Sequence, residues 1–185
     1  MQKTFLILLF LFGLCTTHAQ DSEVLADSYY KRGEFKKALV IYQNIYKEKK
    51  YNSKYFKKII ETHQQLEEFD DVEILLTEKL SKSRIPDLII ELGYNFQLKD
   101  SLERAKALYN EAISFIDERP IYIYKIAKTF EDHSLLEQAI IVYDKAKDLT
   151  PERNYSIQLA RIYGDQGNVE QMFSNYIDYI AYKPN

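Results

Sequence analysis

Leu135-Leu136-Glu137-Gln138-Ala139-Ile140-Ile141-Val142-Tyr143-Asp144-Lys145-Ala146-Lys147-Asp148-Leu149-Thr150-Pro151 is the stretch whose reading decides the fold. Leu136, Ala139, Ile140 and Tyr143 stand at i, i+3, i+4 and i+7, the period of one helix face. Ala139 and Ala146 are small, and Tyr143 between them is large. Small residues let a second helix backbone come close, and the aromatic fills the seam beside it. Ala139 is therefore expected to be buried against a neighbouring helix near Ala127. Thr150 suits a helix cap, and Pro151 the first turn of the helix that follows, where its missing N–H is not needed.

The same pattern recurs along the chain. The slot of Ala139 is preceded by Ala38, Val72 and Ala105 and followed by Met172, at spacings of 34, 33, 34 and 33. Four residues after each come Tyr42, Leu76, Tyr109, Tyr143 and Tyr176; three before each stand Phe35, Phe69, Leu102, Leu136 and Val169. A second set lies earlier in each period: Leu25-Ala26, Ile59-Ile60, Leu92-Gly93, Ile126-Ala127 and Leu159-Ala160. Three positions further on it continues with Tyr29, His63, Phe96, Phe130 and Tyr163. Turn-forming residues separate the two sets: Gly33, Asp100-Ser101, His133-Ser134, and Gly164 to Asn168. Each period thus reads as helix, short turn, helix.

Five periods of helix–turn–helix at 33 or 34 residues resemble the tetratricopeptide repeat family. The resemblance covers about residues 20–185, in units near 20–52, 53–85, 86–119, 120–152 and 153–185. The chain departs from the family in lacking the usual Trp. Ile60, Val72 and Lys79 in unit two, and Met172 and Tyr179 in unit five, stand where small residues are typical. The resemblance implies an all-α fold, a right-handed α-solenoid whose first helices line a concave groove. It implies binding of a protein or peptide there. The inward positions carried over include Tyr30, Gln64, Gln65, Ile90, Tyr94, Gln97, Tyr124, Lys128 and Arg161.

Composition agrees with a packed domain. Hydrophobic residues make up 46% and charged residues 29% of 185, while Gly and Pro are scarce at 5 and 4. The 16 Tyr and 10 Phe suit packing positions that touch both core and water. A net charge of −3 without a basic stripe argues against a nucleic-acid partner.

The start of the chain has the form of a leader. Lys3 is followed by the apolar run Phe5–Leu14 and by Thr17-His18-Ala19, so residues 1–19 read as a signal peptide cut after Ala19. The run is short for a membrane span, which needs about 20 apolar residues. Cys15 falls inside the leader with Leu14 before it, which does not suit lipidation. The expected location is exported: periplasmic, or associated with the cell envelope.

Nothing in the sequence asks for catalysis. No nucleophile elbow, phosphate loop or dinucleotide fingerprint is present. His63 sits in an aromatic slot and reads as a packing residue, and His133 in a turn reads as solvated or capping. With no further histidine or cysteine at ligand spacing, no metal site and no cofactor are expected. The pairs Glu67-Glu68, Asp70-Asp71 and Glu131-Asp132 read as solvated helix ends. The expected function is a non-catalytic scaffold for protein–protein interaction in a bacterial envelope. The alternative is the input or sensor module of a longer envelope receptor or signalling protein. Phe173, Ile177 and Ile180 make the last helix apolar on more than one side, which predicts an uncovered patch, self-association or further repeats at that end.

Overall fold

The computed structural model describes residues 22–49 and 52–182; the leader, Cys15 and the last three residues lie outside them. The described residues hold ten α-helices and no strand. They are α1 (22–31), α2 (Phe35–Glu48), α3 (Ser53–Gln65), α4 (Phe69–Lys82), α5 (Pro86–Leu98), α6 (Leu102–Glu118), α7 (Ile123–Asp132), α8 (Leu136–Leu149), α9 (Ser156–Asp165) and α10 (Val169–Tyr182). A 3-10 turn, Pro120–Tyr122, leads into α7. No described helix is long and apolar enough to cross a membrane.

The five hairpin turns are built alike. The second residue after each first helix adopts positive φ: Gly33 (75°), Glu67 (58°), Asp100 (58°), Ser134 (57°) and Gly167 (72°). Each donates its N–H to the carbonyl three residues back, at Tyr30, Gln64, Gln97, Glu131 and Gly164. The next N–H, from Glu34, Glu68, Ser101, Leu135 and Asn168, reaches the carbonyl of the aromatic-slot residue: Tyr29, His63, Phe96, Phe130 and Tyr163. This is the paired bonding that closes a helix with a left-handed residue, and it satisfies carbonyls that would otherwise be orphaned.

The chain divides into two compact units, residues 1–72 and 73–185. In the first, α2 packs on α3 and carries Ala38, Tyr42 and Ile45 fully buried. The Tyr42 hydroxyl donates to Asp27 at 2.5 Å, and Tyr46 and Phe56 meet with ring centroids 5.8 Å apart. Burial, then the Asp27 bond, raises the Tyr42 pKa.

In the second unit α5 packs on α6, α7 on α8 and α9 on α10, and α5 also contacts α7. Gly93 shows why the small slot matters: a Cβ there would lie 2.6 and 2.8 Å from the Tyr109 ring and 3.3 Å from the Ala105 carbonyl oxygen. Ala127 and Ala139 are both fully buried, in the paired helices α7 and α8, as expected from the sequence.

Two expectations need correction. Thr150 does not start a helix: it closes α8, its hydroxyl bonding the Ala146 carbonyl at 2.9 Å and the Tyr155 hydroxyl at 2.6 Å. Pro151 lies in the connecting turn, and the start of α9 is met instead by Asn154, which accepts from the Ser156 N–H at 2.8 Å. The Thr–Pro pair is equally competent at either end of a linker, and the buried Tyr155 decides between them. The last hairpin also departs from the pattern: Met172 and Tyr176 occupy slots that are buried in every other second helix, yet neither is buried.

Candidate functional site

Tyr94, Lys128 and Arg161 occupy one repeat position, immediately after Gly93, Ala127 and Ala160 in α5, α7 and α9. Each lies beside the small residue that faces the second helix of its hairpin. In the 73–185 unit they form a row: Tyr94 is half-buried, and Lys128 and Arg161 are exposed. Tyr124, one turn earlier in α7, is exposed and rests on Tyr143 and Tyr155, with ring centroids at 6.2 and 5.5 Å. Burial, then the Tyr155 charge, raises the Tyr124 pKa.

Polar contacts hold the row in place. Arg161 donates to Glu131 at 2.5 Å, and the Tyr143 hydroxyl, whose pKa burial raises, donates to the same carboxylate at 3.4 Å. Lys128 pairs with Asp132 at 2.7 Å, and Lys125 with Asp87 at 2.9 Å. The Tyr94 ring stacks on His133 at 4.1 Å, and His133 Nε2 lies 3.0 Å from Glu91 Oε2. Each cation of the row has a carboxylate partner, so the row offers aromatic faces and hydrogen-bond donors without a strong net field.

The other residues expected at the groove fare differently. Gln97 is half-buried and its side-chain oxygen accepts from the Tyr109 hydroxyl at 3.1 Å, so that atom is spent on holding α6. In the 1–72 unit, Tyr30 is half-buried with Phe35 edge-on at 5.2 Å and the Lys58 ammonium 5.5 Å from its ring centre. Burial, then Glu61, raises the Tyr30 pKa. Gln64 is buried and shows little of itself to a partner.

Two residues depart from their expected surroundings, and a third, buried as expected, gains a polar partner. The Glu131 side chain, read as solvated, is almost entirely covered and bound to Arg161. The His133 side chain, read as solvated or capping, is buried against Tyr94 and Glu91. His63, read as a packing residue, is buried and also bonds through Nδ1 to Glu68 at 2.7 Å. His63, Glu68 and Asp71 bring one nitrogen and two carboxylates within 4.8 Å of one another. The short His63–Glu68 bond ties the end of α3 to the start of α4 across the turn. Lys99 stands at the position of His133 one repeat earlier and pairs with Glu73 of α4 at 3.1 Å, so the slot does not by itself name its partner.

These helices, turns and slots give the described chain a tetratricopeptide-type fold: paired helices at a 33- or 34-residue period, with small residues at the seams and a row of polar and aromatic side chains along the first helices. No protein-family model matches the chain, and no curated protein matches it. Among solved structures the chain is similar to a MamA protein at 16% identity, covering 89% of this chain and 91% of that one with a TM-score of 0.43. It is similar to TTC0263, a thermophilic TPR protein of Thermus thermophilus, at 17% identity, covering 90% and 92% with a TM-score of 0.47. A third similarity, at 13% identity, is to nearly identical TPR-like repeats of a Podosopora anserina putative kinesin light chain, covering 89% and 94% with a TM-score of 0.46.

Proposed function

We propose that this chain is a non-catalytic scaffold that binds a peptide or protein surface along the first helices of its repeats, in the envelope of a bacterium. The observation that carries the reading is the row of Tyr94, Lys128 and Arg161, with Tyr124 beside it: one repeat position, three successive first helices, braced by Glu131 and His133. Tyr and Arg held rigid by neighbours lose little entropy on binding and cover much area, the chemistry of interface anchors. Export rests on the leader at residues 1–19, which puts the partner outside the cytoplasm.

The test is capture from an envelope extract, with the retained proteins identified by mass spectrometry. The Tyr124→Ala and Arg161→Ala variants are expected to lose a partner that the parent retains, while keeping the parent's helical circular dichroism. Ile141→Ser, on an exposed part of α8, should keep it. Equal retention by all three variants would contradict binding along the first helices. Amino-terminal sequencing of the mature protein should begin at Gln20; a retained Met1 in a cytoplasmic fraction would refute the location.

A further inference from the structure

The repeat carries its own description of how one hairpin covers the next. Four residues after the small slot, the second helices carry Tyr42, Leu76, Tyr109 and Tyr143, all buried, and then Tyr176, which is 38% exposed. Four residues further, Leu80 and Ile113 are buried, while Ile180 is 71% exposed. Phe173 and Ile177 continue the same apolar stripe of α10 in the open. The inner second helices are covered here by the following hairpin: Tyr46 of α2 meets Phe56 of α3, and Tyr109 of α6 meets Phe130 of α7 edge-on at 5.5 Å.

The complementary half of that interface is uncovered on α1. The aliphatic before the small slot is buried as Ile59, Leu92, Ile126 and Leu159, but Leu25 is 46% exposed, and Val24 beside it is more exposed still. Tyr29 is the equivalent of Phe130 and is only half-buried. One molecule therefore presents a second-helix face without a first helix on it, and a first-helix face without a second helix beneath it. The two are unlike surfaces of a single recurring contact.

We propose that α10 of one molecule docks on α1 of a second copy, head to tail, repeating the contact that α6 makes with α7. Tyr176 of one copy then takes the part of Tyr109 against Tyr29 of the next, and Ile180 packs near Leu25. Because the two faces differ, the contact is heterologous and continues from copy to copy unless a ring closes it. A self-complementary α10–α10 dimer would leave the α1 face bare.

The experiment uses the full chain with Cys15→Ser as background and two single-cysteine proteins, Tyr29→Cys and Tyr176→Cys, joined by a short bismaleimide. Mixed together they are expected to give a cross-linked dimer; neither alone should do so. Cross-linking of Tyr176→Cys with itself would mean an isologous dimer and overturn the proposal. Sedimentation velocity across a concentration series should show growing species in the parent and a single monomer in Ile180→Glu. Ile141→Glu, exposed on α8 away from this stripe, should associate like the parent. A parent that stays monomeric at every concentration would overturn the proposal and leave the α10 stripe for a different helix.

Discussion

The hairpin of α7 and α8 and the hairpin of α9 and α10 share one period and one turn, yet bury their second helices differently. In α8 the slots hold Ala139, Tyr143 and Ala146, all buried. In α10 the same slots hold Met172, Tyr176 and Tyr179, and the one buried residue of that helix is Asn175, whose side chain donates to the Gln171 carbonyl at 2.8 Å. Both hairpins close with the same turn bonds, Leu135 to Phe130 and Asn168 to Tyr163. The turn thus makes a hairpin by itself, small slots let its two helices approach closely, and full burial of the second helix depends on the next hairpin stacked on it. In the last described hairpin, large residues stand where α8 has alanines.

The widest gap between these hairpins should come from their aromatic slots. Phe130→Ala removes a fully buried ring and is expected to cost about 3–5 kcal/mol in urea denaturation. Tyr163→Ala, at the equivalent half-buried site, should cost clearly less. Equal losses would mean that the last hairpin is as well covered as its neighbour.

Overpacking probes the seam. Ala139→Leu should cost about 1–3 kcal/mol, because a full seam cannot take three more carbons. Met172→Leu in the same slot conserves volume and should cost under about 1.5 kcal/mol. An unchanged midpoint in Ala139→Leu would break the slot assignment.

Tyrosine titration sharpens the contrast from another side. Tyr42, Tyr109 and Tyr143 have pKa values raised chiefly by burial. For an acid whose folded pKa lies above its unfolded one, the folded state binds the proton more tightly. The stability this gives is full below the unfolded value, near pH 10, and is lost as pH rises beyond it. Denaturation midpoints should therefore fall from about pH 10 upward. Tyr143→Phe should flatten that fall.

The smallest effect concerns the turns. Glu67 and Ser134 hold positive φ without being glycine. Since a left-handed side chain costs about 1–2 kcal/mol, Ser134→Gly should raise stability by up to about 1 kcal/mol after the added chain entropy of glycine is deducted. A loss on substitution would mean that the Ser134 side chain does more than occupy the turn.

Much of this was legible beforehand. Helical spacing around Ala139 and its four equivalents located the paired helices, because a seam accepts little besides small residues. The exposed stripe on α10 followed from Phe173, Ile177 and Ile180 sharing one helix with the slot residues. The burial of Glu131 and His133 was hidden, since both come from the end of α7, where solvation is the usual outcome. Their partners Arg161, Tyr94 and Glu91 come from other hairpins, and no local pattern records such contacts. The positive φ of Glu67 was equally hidden, because the glycine that signals the turn at Gly33 is absent there.

Amide hydrogen exchange resolved by helix tests the stacking account most directly. A dilute sample should show α8 protected and α10 exchanging fastest among the second helices, since local opening follows the apolar contact each helix keeps. Raising the concentration should then slow exchange in α10 and α1 together, leaving α8 unchanged. Equal protection of α8 and α10 in dilute solution, with no response to concentration, would contradict the claim that stacking, not the hairpin, sets the pattern of burial.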